Sequence, residues 1–330
     1  MTQVAHDEFR EFIDSHREFL ILSHVDPDGD AIGSSLGLAW ALKGLQKEVV
    51  VGNESPLPDG LRFLPGSEWV KLPAEIGRVF DAVFVLDCSS LDRAGEAARL
   101  VAPGAAVANV DHHAANDGFG APRLVNVEAS ATAELIYEIL DAYGTPLEPE
   151  VAACLYVGLA SDTGAFRYQN TTPRALRLAA RLVEHGAQPS TAADALYGRK
   201  SEASLRILGL ALASLEKRAG GRVGALTISH EMFQRAGATP EDADGIVQFA
   251  KSLDGARVGI LIQEVAPGEV RMSFRSDGTV DVNEVAGRFG GGGHKNAAGA
   301  RVRGDLARVR GDVLEALDRA VNGGPPPPRG

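Results

Sequence analysis

The sequence predicts an α/β protein in which an N-terminal, doubly wound and mainly parallel sheet is joined by a helical linker to a smaller α/β C-terminal domain. Three observations carry that prediction. Short apolar, β-rich runs alternate with helix-periodic stretches from the N-terminus to about residue 190, the order of successive βαβ units. Clusters of Asp, His, Gly and Pro fall at the ends of those runs, where an open sheet needs its turns. After Gly220-Gly221 the pattern changes to strands separated by shorter helices, so a second domain begins there.

A first amphipathic helix places Phe9, Phe12 and Ile13 on one side. Glu18 to Ser23 is strand material, and His24-Val-Asp-Pro-Asp-Gly-Asp30 is a turn because it contains Pro27 and Gly29. A helix resumes at Ala31 with Ile32, Leu36, Ala39 and Trp40 as its buried stripe. The runs 82–86 and 105–110 are strands that end at Asp87 and at Asp111-His112-His113. Helices follow over 131–143, 149–160 and 173–185, the last stopped by Gly186, and Asp162 closes the second.

From about 190 to 218 the pattern is helical and ends at Gly220-Gly221, a helix stop or a hinge. The apolar positions between Leu205 and Leu215 are expected to pack on their own domain, with a homodimer as the alternative. Strands over 223–228, 257–265 and 269–276 and a helix over 240–253 come next. A short helix over 282–289 has its start signal in Asp281 with Glu284 and its stop at Gly290, and a last helix covers 306–321. The domains are therefore 1–190, a linker 191–221, and 222–322. The Pro-rich tail 323–330 has nothing to pack and is expected to be disordered.

Among 330 residues, 45% are hydrophobic and 23% charged, the balance of a soluble globular chain. The net charge of -11 argues against a long nonspecific nucleic-acid track or duplex footprint, though a local basic pocket for a short anion remains open. Two cysteines, Cys88 and Cys154, form no CxxC or disulfide framework, which fits a reducing, cytoplasmic setting. No signal peptide is visible, and no apolar run approaches the roughly 18 residues of a membrane helix, so no membrane partner is expected.

Six residues unsuited to a core, His24, Asp28, Asp30, Asp87, His112 and Asp162, each stand where a predicted strand or helix begins or ends. Ligands of open α/β sheets bind at the carboxyl ends of the strands, so these clusters should converge on one crevice. Any one of them alone is ordinary turn or cap material. Together, several carboxylates in one crevice are electrostatically costly without a cation. Oxygen and imidazole donors without a thiolate favour Mn²⁺ or Mg²⁺ over structural Zn²⁺, and four carboxylates balance two dications. Two such ions about 3.5 to 4 Å apart can hold a hydroxide in line with a phosphorus atom and stabilise the departing oxygen. His6, His16, His185 and His230 lie on predicted helices or their ends and are read as structural or solvated.

These motifs resemble, in order, the four successive motifs of the DHH phosphoesterases: His24 to Asp30, Asp87, Asp111-His112-His113, and Ser161-Asp162-Thr163-Gly164. Gly290-Gly-Gly-Gly-His-Lys-Asn-Ala-Ala-Gly299 is similar to the glycine-rich signature of the substrate-binding domain associated with them. The resemblance implies that His24, Asp28 and Asp87 hold one divalent ion and that Asp30, Asp87, His112 and Asp162 hold a second, with Asp87 bridging. It implies Mn²⁺ first, with Mg²⁺ or Co²⁺ as alternatives. It also implies catalytic roles beside Asp87 for His113, facing the substrate phosphate, and for Asp111, orienting a ligand histidine. Asp26 is left as a turn or outer residue.

In the C-terminal domain, Glu269 to Ser276 alternates, with Val270, Met272 and Phe274 on one face and Arg271, Ser273 and Arg275 on the other. An arginine on an open face can clamp a phosphate through its planar fork. A glycine run lets the backbone approach an anion closely, and His294 and Lys295 add donors. Ser273, Arg275, Asn283, Gly291, Gly292, Gly293 and His294 together resemble the 5′-phosphate and base platform of nanoRNase and pAp-phosphatase proteins. The implied substrates are pAp, cut to AMP and phosphate, and 5′-phosphorylated RNA of about two to five units, because end-anchoring and cleavage must occur together. Alternatives are a phosphodiesterase for linear or cyclic dinucleotides such as pApA and c-di-AMP, and a noncatalytic nucleotide-binding regulator. A pyrophosphatase is not expected to carry the glycine-rich signature, and a RecJ-like exonuclease needs further DNA-binding modules.

Overall fold

The computed structural model describes residues 3–198 and 200–323, and the chain divides into two compact units, Met1–Arg199 and Lys200–Gly330. Apart from Gly323, the expected disordered tail lies outside the described residues.

The first unit is a six-stranded sheet of β1 (Glu18–Leu22), β2 (Glu48–Gly52), β3 (Val70–Lys71), β4 (Phe80–Leu86), β5 (Val101–Asp111) and β6 (Arg123–Val125). The strand order is β3-β2-β1-β4-β5-β6, with every pair parallel, as the alternation predicts. The chain leaves β1 toward β2 on one side and returns to β4 on the other. The carboxyl ends of β1 and β4 therefore form the switch point where an open sheet leaves a crevice.

Side chains alternate between two cores: Phe19, Ile21, Phe84 and Leu86 enter one, and Leu20, Leu22, Val83 and Val85 the other. Phe9 and Phe12 of the first helix, Gln3–Ser15, close the first core, with the Phe12 ring edge-on to Phe84 at 5.0 Å. The helix Gly29–Gly44 starts two residues earlier than its apolar period suggests, because Asp28 caps it. It is buried around most of its circumference rather than along one stripe. Its partner is the helix Pro149–Asp162, and the two approach closely: a Cβ on Gly33 would stand 2.5 Å from the Cys154 carbonyl and 2.8 Å from the Gly158 amide.

The second unit is a sheet of β7 (Glu216–Arg218), β8 (Val223–Ile228), β9 (Val258–Ala266), β10 (Glu269–Ser276), β11 (Gly292–His294) and β12 (Ala297–Arg303). Its order is β11-β12-β10-β9-β8-β7, antiparallel except between β8 and β9. Val270, Met272 and Phe274 are buried with Val313 and Leu317 of the helix Leu306–Val321. On the opposite face, Leu226, Ile228 and Leu261 pack beneath Ile207 and Phe233.

Three expectations differ from the structure. The segment read as a linker, 191–221, is divided between the units. Ala192 belongs to the first core, while Ile207 and Ala211 of the helix Glu202–Ala213 belong to the second unit, leaving Leu205, Leu212 and Leu215 exposed. That helix stops at Ser214, whose hydroxyl bonds the Ala211 and Thr227 carbonyls and accepts from the Thr227 amide. Such a stop has no Gly or Pro signal. Residues 216–218 then form β7, and Gly220 and Gly221, at φ +68° and +90°, turn the hairpin into β8 rather than ending a helix. The expected helix 240–253 breaks into Pro240–Ala243 and Val247–Lys251, because Asp244 is extended and Gly245 takes φ +82°. Among the described residues, no helix is long and apolar enough to cross a membrane.

Candidate metal centre

The switch point of the first unit gathers the six strand-end and helix-end residues. His24 lies just past β1. Asp28 caps the next helix, its carboxylate accepting from the Asp30 and Ala31 amides at 2.9 and 3.0 Å. Asp30 sits in the first turn of that helix, fully buried. Asp87 follows β4 with φ +57°, a left-handed backbone that non-glycine residues adopt rarely and often at functional sites. This turn, rather than strand alternation, aims its side chain into the crevice while Cys88 stays buried in the core. Asp162 ends the helix that packs on Asp30.

Among the described residues two groups match the expected ligand sets, one of His24, Asp28 and Asp87 and one of Asp30, His112 and Asp162, and a third, overlapping group brings His113 to Asp87 and His112. Asp87 faces the first two: its Oδ2 is 3.5 Å from His24 Nε2 and its Oδ1 is 3.6 Å from His112 Nε2. His112 Nε2 is also 3.0 Å from Asp162 Oδ2 and 4.0 Å from Asp30 Oδ2. In both histidines Nδ1 faces a backbone carbonyl, Val25 at 2.8 Å and Ala129 at 3.3 Å. A carbonyl can only accept, so Nδ1 carries a hydrogen and Nε2 is the ring atom turned toward the carboxylates. His112 Nε2 is buried with carboxylate oxygens near it but without a hydrogen bond of good direction, an arrangement compatible with a cation at this point. Oxygen and imidazole donors of this kind fit hard or borderline divalent ions.

His113 stands apart from the other two histidines in one respect. Its Nδ1 is 2.7 Å from Asp111 Oδ1, closer than the 3.6 Å to Asp87 Oδ1. Asp111 therefore orients His113, which itself lies within reach of Asp87 and His112, rather than the expected ligand His112. The Ala129 carbonyl does that for His112. Asn116 Nδ2 holds the other Asp111 oxygen at 2.7 Å.

In the second unit, register aligns the expected substrate residues. Ser273 lies opposite Gly299, which lies opposite Gly292, and Arg275 lies opposite Ala297, which lies opposite His294. Directly paired residues share a face, so Ser273, Arg275, Gly292 and His294 share one. Asn283 Oδ1 is 3.7 Å from where a Gly292 Cβ would be. The second half of the glycine run, Gly292 and Gly293, forms the edge strand with His294, and Gly290 and Gly291 lead into it. At Gly291 and Gly293 a Cβ would press to 2.1 and 2.5 Å against the Gly299 and Ala297 carbonyls.

Residues 18–159 match the N-terminal domain of the DHH family, and residues 219–323 match the DHHA1 domain. The chain is 37% identical over 300 residues to the bifunctional oligoribonuclease and PAP phosphatase NrnA of Thermus thermophilus, covering 90% of this chain and 88% of that protein. The chain belongs to the DHH family. The Bacillus subtilis protein of the same name is 28% identical over 285 residues, 84% of this DHH chain and 87% of its own length. A solved exopolyphosphatase-related protein from Bacteroides fragilis superposes with a TM-score of 0.90 at 27% identity, covering 97% of this chain and 98% of that one.

The DHH cluster is electrostatically loaded. Burial and the charges of Asp87 and Asp162 push the Asp28 carboxyl up and the Asp30 carboxyl well above its ordinary range. Burial pushes Asp87 up too, but its bond to His24 and the charges of His112 and His113 outweigh that and hold it below. Burial opposes protonation of His24 and His112. Carboxylates, mainly Asp87 for His24 and Asp162 for His112, prevail and raise them to about 9 and about 10.

Both imidazoles thus carry a proton at neutral pH unless a cation replaces it, and a cation needs the neutral ring. Mn²⁺ uptake at about pH 7 should therefore release protons, and the apparent affinity should climb as pH rises from about 6 toward 9. Calorimetry in two buffers of different ionisation enthalpy measures the release. Identical heats would mean that neither histidine gives up a proton.

Sequence reading missed Thr132, whose hydroxyl donates to Asp87 Oδ1 at 2.9 Å and whose amide donates to Asp30 Oδ2 at 2.6 Å. The Ala133 amide donates to Asp30 Oδ1 at 2.9 Å, so the helix Thr132–Tyr143 presents its N-terminus to that carboxylate. The run Ser130-Ala-Thr-Ala-Glu134 marks a helix start, but a carboxylate from a distant helix as its cap leaves no local signal.

Proposed function

We propose that this DHH protein is a dinuclear-metal phosphoesterase that hydrolyses pAp to AMP and phosphate and short 5′-phosphorylated RNA to mononucleotides. The observation that carries the reading is Asp87, one carboxylate placed between two complementary donor groups. The names of the Thermus and Bacillus relatives, oligoribonuclease and PAP phosphatase, support the substrate class.

His24, Asp28 and Asp87 would hold one ion and Asp30, Asp87, His112 and Asp162 the other, with Mn²⁺ preferred on its donor chemistry and Mg²⁺ or Co²⁺ as alternatives. Bound there, two dications supply Lewis acidity at phosphorus and acidify water toward neutral pH. His113 meets the substrate phosphate as a proton-bearing imidazole. Its bond to Asp111 and the nearby Asp87 charge raise its proton affinity, against the opposing effect of burial. In the DHHA1 unit, Arg275 clamps a terminal phosphate beside Ser273 and His294. The small residues Gly292, Ala297 and Gly299 leave the sheet open to a base, and Asn283 offers it an amide edge.

Product chromatography with Mn²⁺ should show fast release from pAp and RNA dimers, falling with length over a 5′-phosphorylated series. A preference for pyrophosphate or c-di-AMP would overturn the substrate, and hydrolysis of no member would overturn the enzyme.

A further inference from the structure

One short segment, Ala129–Ala133, bonds three of the six cluster residues directly and reaches a fourth through one side chain, each on a different element. The Ala129 carbonyl accepts from His112 Nδ1 at 3.3 Å. The Thr132 hydroxyl holds Asp87, and the Thr132 and Ala133 amides hold Asp30. Ser130 reaches the fourth through Asn170, whose Nδ2 donates to both the Ser130 and Asp162 carbonyls at 3.1 Å. The Ser130 hydroxyl donates back to the Asn170 carbonyl at 2.6 Å, closing a ring around the end of the helix that carries Asp162. His24 and Asp28 take their orientation elsewhere, from the Val25 carbonyl and from the helix start at Asp30 and Ala31.

We propose that Ala129–Ala133 is the positioning segment of one half of the centre, fixing Asp30, Asp87, His112 and Asp162 as a unit while leaving the His24 and Asp28 half to its own turn. The proposal rests on the dinuclear reading. Thr132 is its keystone because one residue restrains the carboxylate shared by both halves and Asp30, the most deeply buried of the six. These are contacts of the kind whose loss costs about 10- to 100-fold in metal affinity.

Manganese titration of the full chain, by calorimetry and by the loss of the free Mn²⁺ electron paramagnetic resonance signal, separates the possibilities. The wild type should take up two ions, and His24→Ala identifies which event belongs to the His24 half. Thr132→Val keeps the shape and removes the hydroxyl. Because the lost bond is to Asp87 Oδ1, the oxygen facing His112, the substitution should weaken the other event about 10- to 100-fold and the His24 event, which shares Asp87 through Oδ2, clearly less, with kcat falling more than KM changes. Thr132→Ser should restore both. Asn170→Ala, at an exposed position, should weaken the same event less.

Unchanged affinities in both Thr132→Val and Asn170→Ala would overturn the proposal. So would an equal weakening of both events together with a lower melting temperature, which marks a merely structural role. A wild type that binds fewer than two ions would instead remove the dinuclear reading itself.

Discussion

Asp87→Asn is expected to lower kcat by about a thousandfold or more, the scale on which removing one member of a catalytic constellation acts, while the chain stays folded. Asparagine tolerates the left-handed backbone at φ +57° that Asp87 adopts. It also keeps an oxygen for the Thr132 hydroxyl. What it removes is the charge facing His24 Nε2 at 3.5 Å and His112 Nε2 at 3.6 Å. Asp87 repels Asp28 and Asp30, but His24, His112 and His113 hold its charge net favourably, so the metal-free variant should melt somewhat lower than the wild type at neutral pH while remaining folded. Asp87→Ala is a poorer probe, because alanine in that conformation costs about 1–2 kcal/mol by itself. Steady-state rates and thermal melts in a chelator decide the matter. Near-normal metal-dependent turnover in Asp87→Asn would refute the bridging role.

The second large effect falls on Arg275. Arg275→Ala should cut the preference for a 5′-phosphorylated over a 5′-hydroxyl RNA dimer by about ten- to a hundredfold, because a hydrogen bond to a charged group contributes about 1.5–3 kcal/mol. The loss should appear mainly in KM. Arg271 shares the same strand face but is drawn to Asp244 at 3.3 Å, so Arg271→Ala should change that preference far less. Equal effects from the two substitutions would mean a diffuse basic surface rather than a phosphate clamp.

Much of this could be read from the sequence because it depends on local signals. Strand ends are marked by abrupt changes from Val, Leu and Ile to Asp and His, and the parallel sheet brings such ends together whatever the loops contain. The platform face of β10 is visible as a period of two. What escaped depends on partners far along the chain. Thr132 looks like the first residue of an ordinary helix until Asp30 arrives from 102 residues away. β11 and β12 are rich in Gly and Ala, poor strand formers whose conformation comes from register against β10. The true orienter of His112 is a backbone carbonyl, which every residue possesses and no sequence can flag.

The contact between the helices Gly29–Gly44 and Pro149–Asp162 has a further meaning for the metal centre. Gly158 lies so near Asp30 that a Cβ there would stand 2.9 Å from its Oδ1, and Gly33 meets the same helix from the other side. Asp30 and Asp162 ride on these two helices, so the gap between the helix axes is also the gauge across which one ion must fit. The glycines in the core act as its shims. A methyl group added at Gly158 or Gly33 would press on this spacing from within the core, so the separation of Asp30 from Asp162 depends on two residues that carry no side chain.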